Sequence, residues 1–153
     1  MSTTAAMRAL IGAALVVAGG AARLEAACTI SSSGVSFGVY DVFSAAPTDS
    51  TGSVVYDCDP SDKNIRITLS TGSSGTFLQR ELASGSNQLA YNLFDDAALL
   101  SIWGDGTGGS NFYFIKNPHP QKPVALTIYG RIPQLQDAAA GTYSDSIIVS
   151  VDF

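Results

Sequence analysis

The sequence is short of the residues most chemistry requires. Its 153 positions include one histidine, one tryptophan and two cysteines, and only 14% of them are charged. No G-x-S-x-G elbow, phosphate-binding loop or zinc-ligand spacing occurs, so no catalytic activity, metal or cofactor is expected. Lysine and arginine total 8 and nowhere cluster, while the net charge is −5 and the pI about 4.5. That balance makes nucleic acid and anionic membranes poor partners. Helical spacing sustained over three turns with a cap at each end is also missing. The one extended apolar run, residues 9–22, is too short and too rich in Ala and Gly to span a bilayer.

That run has the form of a secretory signal instead. Arg8 precedes it, and Leu24-Glu25-Ala26 supplies a cleavage site ending in alanine, so residues 1–26 are expected to be a signal peptide and 27–153 the mature domain. No integral membrane segment is expected after its removal. A lipoprotein reading of EAAC (25–28) competes, although Glu25 stands where such a signal needs an aliphatic residue. In an exported chain the two cysteines, Cys28 and Cys58, predict one disulfide. Closing that loop constrains the unfolded chain by roughly 3 to 4 kcal/mol on the chain-entropy estimate. A metal pair or reactive thiol finds no support, because the only histidine, His119, sits far off in the loop NPHPQKP. The remaining length suits one domain with one core.

What the chain has in quantity is short alternating runs separated by turn residues. The runs are VSFGVY (35–40), SVVYDC (53–58), IRITLS (65–70), LAYNLF (89–94), NFYFIK (111–116), VALTIYGRI (124–132) and a terminal SIIVSV (146–151). About seven strands with this punctuation predict an all-β sandwich. In the last stretch, SDSIIVSVDF (144–153), Ile147, Val149, Val151 and Phe153 share one face, and the sequence ends with the pattern still in phase.

Three features carry weaker chemical signals. Asp57, Asp59 and Asp62 resemble part of a calcium loop, but the ligand set is incomplete and Pro60 interrupts it, so a tight turn is the expected reading. Asp95, Asp96 and Asp105 could be offered as a carboxylate pair for glycoside hydrolysis, but neighbouring residues on a strand point to opposite faces, which favours surface turns. Trp103, in SIWGDGTGG, is either a surface platform that stacks on a sugar or a core anchor beside a Gly-rich turn.

The order of motifs adds a resemblance. Cys28, SFGVYD, YDCD, IRITLSTG, LAYNLFDD, WGDG, YGRIPQLQ and AGTYSDSIIVSVDF, in that sequence and over nearly the whole mature chain, resemble the spore coat protein U domain shared by subunits of archaic, Csu-type chaperone-usher pili. The resemblance implies an immunoglobulin-like sandwich that lacks its final strand, with a C-terminal strand bordering a groove into the core. It implies structural partners: a periplasmic chaperone, an outer-membrane usher and other subunits, by way of the periplasm to the cell surface. Ile147, Val149, Val151 and Phe153 are the expected groove edge, where a donated strand adds main-chain hydrogen bonds and fills pockets with alternate side chains. Polymerising members also carry a donor segment before the first cysteine, for which this sequence has at most residues 23–27. The chain is therefore expected either at the tip of a fibre, accepting a strand without giving one, or as a self-contained coat protein with a protective or adhesive role.

Overall fold

The computed structural model describes residues 28–118 and 122–153. The expected signal peptide, the cleavage site and His119 lie outside the described residues. Eight strands form: β1 (Thr29–Ser33), β2 (Thr48–Asp57), β3 (Ile65–Leu69), β4 (Arg80–Ser84), β5 (Asn87–Phe94), β6 (Tyr113–Ile115), β7 (Val124–Ile132) and β8 (Val149–Asp152). All pairings are antiparallel. One sheet has the order β1-β2-β7-β5-β4 and the other β6-β3-β8.

Alternation in the central strands builds the core between these sheets. β3 turns Ile65, Ile67 and Leu69 inward, to meet Leu89, Tyr91 and Leu93 of β5 and Leu126, Ile128 and Ile132 of β7. Successive inward residues two apart are what a sandwich requires of each strand. The β-sandwich expected from the sequence is therefore present.

Two edge strands were not legible. TISSS in β1 shows no apolar alternation, because it pairs on one side only and buries little, whereas RELAS in β4 turns Arg80 and Leu82 inward, so its buried row begins with a cation. The reverse error concerns VSFGVY (35–40), which forms no strand. After β1 this segment leaves the sheet edge and passes over the inward face of β2 and β7. There Val35 fits against Gly52, and Val35 and Phe37 fit against Gly130, where a Cβ atom would meet their side chains within 3.0 Å. Its alternation therefore reflects packing on the inner face of a sheet rather than membership of one. The terminal run is also shorter as a strand than its pattern suggested: Ile147 precedes β8 and Phe153 follows it.

The disulfide joins Cys28, just before β1, to Cys58, just after β2. It staples the ends of two strands already paired at Thr29 and Asp57.

Candidate strand-accepting groove

The margins of the two sheets close differently. Between β5 and β3, the segment 102–111 bridges the layers. The Trp103 amide donates to the Leu93 carbonyl at 3.0 Å, its indole Nε1 donates to the Ile67 carbonyl at 3.1 Å, and the Leu69 amide donates to Gly104 O at 3.1 Å. Trp103 is 0% exposed. This corrects the surface-platform reading: a fully enclosed ring with its N–H already satisfied has no face to offer a sugar.

Beside it lies a buried cation that no sequence pattern announced. Arg80 donates through Nε and Nη2 to the Ser70 carbonyl (3.1 and 2.9 Å), through Nη2 to Trp103 O (2.7 Å) and through Nη1 to Asn92 Oδ1 (2.8 Å). Burial draws the guanidinium below its ordinary range, while Tyr91 and Asp145 act the other way. The Asn92 amide in turn donates to the carbonyls of Phe77 and Leu78, so every member of the network is partnered.

This network shapes β8. The Ser70 carbonyl, occupied by Arg80, is not free for the next ladder bond, and the Ser70 hydroxyl accepts the Ile148 amide instead, at 2.9 Å. The Ser70 amide donates to Ile148 O at 2.9 Å. Residues 70 and 148 thus form a hydrogen-bonded pair. Such pairs alternate in antiparallel ladders, so Ser150 and Asp152 also face β3, with Thr68 and Arg66 opposite them. The N–H and C=O groups of Val149 and Val151 consequently point to the outer edge of β8. Among the described residues no strand pairs with that edge, nor with the outer edge of β1.

Between those two edges the core is open. A cavity of about 350 Å³ has Ser32 and Ser33 of β1 on one wall, Ile147 and Val149 on the other, and a floor that includes Leu69 and Ile128. It shares Val35, Phe37, Leu82 and Asp145 with a larger cavity of about 940 Å³ bounded by residues 35–43 and 138–145. Of the expected groove-edge residues, Ile147, Val149 and Val151 are half-buried against the core, whereas Phe153 is 48% exposed. The disulfide stands apart from this cavity, bracing the β1 wall through the far end of that strand.

The motifs singled out in the sequence converge at the mouth of the larger cavity. The Tyr40 hydroxyl donates to Pro133 O (2.9 Å) and accepts from the Gln136 amide (2.8 Å). The Gln136 side chain pairs with both the amide and the carbonyl of Ala90. Phe37 meets Tyr91 edge to face at 5.9 Å. Tyr91 donates to Asp145 Oδ2 at 2.7 Å, and burial, with help from that carboxylate, pushes its phenol well above the usual tyrosine range. The Asp145 Oδ1 also accepts from the amides of Ser73 and Ser146.

Of the remaining acidic candidates, Asp57 is the last residue of β2 and the others lie in turns and bends. Asp59 Oδ1 accepts from Ser61, Asp62 Oδ2 from the Asp59 amide, Asp96 Oδ1 from the amides of Leu100 and Ser101, and Asp105 Oδ1 from Thr107. These bonds hold local loops, and hydrogen bonding to Thr107 keeps the Asp105 carboxyl below its usual range. Among the described residues no group of three His, Cys, Asp or Glu is placed to hold a metal.

The sequence matches the model of the Spore Coat Protein U domain over residues 13–150, most of its length. The chain belongs to the spore coat protein U domain family. Its members are structural, non-enzymatic proteins. A curated relative, Protein U of Myxococcus xanthus, is 30% identical over 149 residues, covering 86% of this chain and 80% of that protein. Among solved structures, a chain of the CsuC–CsuE chaperone–tip adhesion subunit pre-assembly complex, from the archaic chaperone-usher Csu pili of Acinetobacter baumannii, superposes with a TM-score of 0.54 at 21% identity. That match covers 82% of this chain and 39% of the other, so this chain spans about two fifths of the length of its structural neighbour. At this identity the likeness concerns the fold, and it agrees with the sandwich seen here.

Proposed function

We propose that this spore coat protein U domain is a structural subunit of a surface fibre of the archaic chaperone-usher type, and that it is completed by a strand from another chain. The observation that carries the proposal is the outer edge of β8, where the backbone groups of Val149 and Val151 have no strand partner among the described residues, beside an open apolar cavity. An added strand would hydrogen-bond to these groups and send alternate side chains into the cavity. Each apolar side chain so buried contributes about 1.5 to 3 kcal/mol, so three or four make a durable joint without a covalent bond or nucleotide. Ile147, Val149 and Val151 form the edge, and Phe153, more exposed, is its outermost apolar residue.

In this reading a periplasmic chaperone lends the strand first, an usher directs its exchange, and a neighbouring subunit supplies the final one at the cell surface. The likeness in fold to a chain of a complex named for a chaperone and a tip adhesion subunit supports the chaperone as first partner and a place at the fibre tip. A second reading has its own support in the relationship to Protein U: a coat protein that folds and stands alone.

Expression in a bacterial periplasm, with and without a chaperone of this pathway, separates the two. The fibre reading expects aggregation or degradation of the chain alone and a soluble complex with the chaperone. A stable monomer that unfolds cooperatively with no partner would transfer the conclusion to the coat protein.

A further inference from the structure

The groove is apolar along most of its length but not at its centre. In the terminal segment, residues 145, 147, 149 and 151 fall in one inward row: a carboxylate followed by three aliphatic side chains. Asp145 lines both cavities, and among the described residues the only other charged one lining either is Asp41, also acidic. Neither carboxylate has a cationic side chain within ion-pair distance among the described residues, where the one salt bridge joins Arg131 to Asp49. Asp145 takes its hydrogen bonds from neutral donors, the Tyr91 hydroxyl and the amides of Ser73 and Ser146. Asp41 accepts from the Phe43 amide.

We propose that the strand received by this groove carries apolar side chains at alternate positions beside Val149 and Ile147 and a basic side chain, Lys or Arg, at the next alternate position, beside Asp145. This rests on the strand-accepting reading above and specifies the chemistry of the occupant. A wholly apolar strand laid past Asp145 removes water from a carboxylate and returns no counter-charge, and an acidic one adds repulsion. A basic side chain supplies the ion-pair partner that Asp145 lacks, Arg80 acting on it only at longer range, and draws the strand toward a groove whose charged lining, among the described residues, is acidic.

Its larger effect is on register. A slip of one residue turns the apolar side chains out of the groove and is excluded by the cavity itself. A slip of two keeps them in phase, and apolar packing alone discriminates poorly against it. It moves the cation by roughly 7 Å, from Asp145 to a place beside an aliphatic neighbour. Asp145 thereby marks the one register among those the aliphatic row permits, as a single polar residue does in an otherwise apolar helical seam.

The test uses synthetic peptides of alternating apolar sequence in which Lys, Ala or Glu is walked through the groove-facing positions, added to the full chain during refolding and ranked by apparent affinity. One position is expected at which Lys exceeds Glu by tenfold or more, with Ala between them, and the ratio should fall toward one in Asp145→Asn. Zero-length carbodiimide coupling in the wild-type chain checks the same point without relying on a variant that folds: the peptide amine should couple to Asp145. Equal binding of Lys and Glu peptides at every position, an undiminished preference in Asp145→Asn, or coupling to other carboxylates alone would overturn the inference while leaving the groove intact. If no peptide of any charge is taken up, the strand-accepting reading fails and this inference falls with it.

Discussion

The two margins of this sandwich solve one problem in opposite ways. Between β5 and β3, segment 102–111 closes the layers with Trp103, and the adjacent Arg80 network leaves no buried side-chain polar atom without a partner. Between β1 and β8, the same core reaches a cavity, and the backbone groups of Val149 and Val151 face outward with no strand beside them among the described residues. An unpaired strand edge next to exposed apolar surface is a hazard that monomeric proteins usually cover or charge. Its retention next to a fully satisfied network supports the proposal that the open margin receives another chain. The margins are also coupled, because Arg80 holds the Ser70 carbonyl and so sets the pair of residues from which the register of β8 starts.

The comparison can be broken most severely at the closed margin. Trp103→Ala should cost about 3 to 5 kcal/mol through the cavity left and the lost inter-sheet bonds. Arg80→Ala should cost about 3 kcal/mol or more, since it strips partners from Asn92 and two carbonyls. Chemical denaturation should find both losses with a donor peptide present as well as absent. A loss seen only without the peptide would mean that a filled groove replaces what the closed margin contributes.

At the open margin the sharper tool is proline. Val151→Pro removes an N–H that points away from β3, so peptide uptake should weaken a hundredfold or more while the free chain keeps most of its stability. Ser150→Pro removes an N–H that points toward β3, and should destabilise the chain itself by about 3 kcal/mol. Matched unfolding and peptide-binding curves for the two variants check this inversion. Equal effects of both substitutions on both readouts would show the edge assignment to be wrong.

Smaller effects should follow pH. The Tyr91 phenol is raised by burial and by Asp145, and that of Tyr56 by burial, so each is held neutral in the folded chain. Their contribution is complete below the ordinary tyrosine value and is lost as pH rises past it, because the unfolded chain releases those protons first. Stability should therefore decline above pH of about 10, with a slope of at most roughly 1.4 kcal/mol per pH unit for each such group. Tyr91→Phe should flatten the decline in alkaline denaturation. The smallest effect belongs to the exposed ion pair Asp49–Arg131. Hydrogen bonding to Arg131 holds the Asp49 carboxyl below its ordinary value of 3.8, so the stabilisation is present above that pH and fades as pH falls below it. With both side chains over a third exposed, Asp49→Asn should cost less than about 1 kcal/mol at neutral pH, and less again in high salt.

Strands whose residues alternate because one face meets the core were readable as sequence, as with IRITL in β3 and VALTIYGRI in β7. The edge strand β1 was not, since a strand that buries little has no pattern to show, nor was β4, whose inward row begins with the buried Arg80. Segment 35–40 misled for the converse reason: Val35 and Phe37 alternate because they pack on an inner face hollowed by Gly52 and Gly130, and no hydrogen-bond ladder is involved. At the candidate site, the row from Ile147 to Val151 was legible. The far parts of the groove were not, because Leu69, Ile128 and Ser33 come from three distant segments. Asp145 lay inside a quoted motif, but its position between two cavities depends on Tyr91 and Ser73, which only the folded chain brings to it.

Amide hydrogen exchange along residues 149–152 reports whether β8 offers a free edge to an incoming strand. In the free chain the amides of Ser150 and Asp152 should be protected and those of Val149 and Val151 should exchange freely; on uptake of a donor strand all four should be protected. Equal protection of all four before any strand is added would mean that the edge is already paired, and would contradict the account.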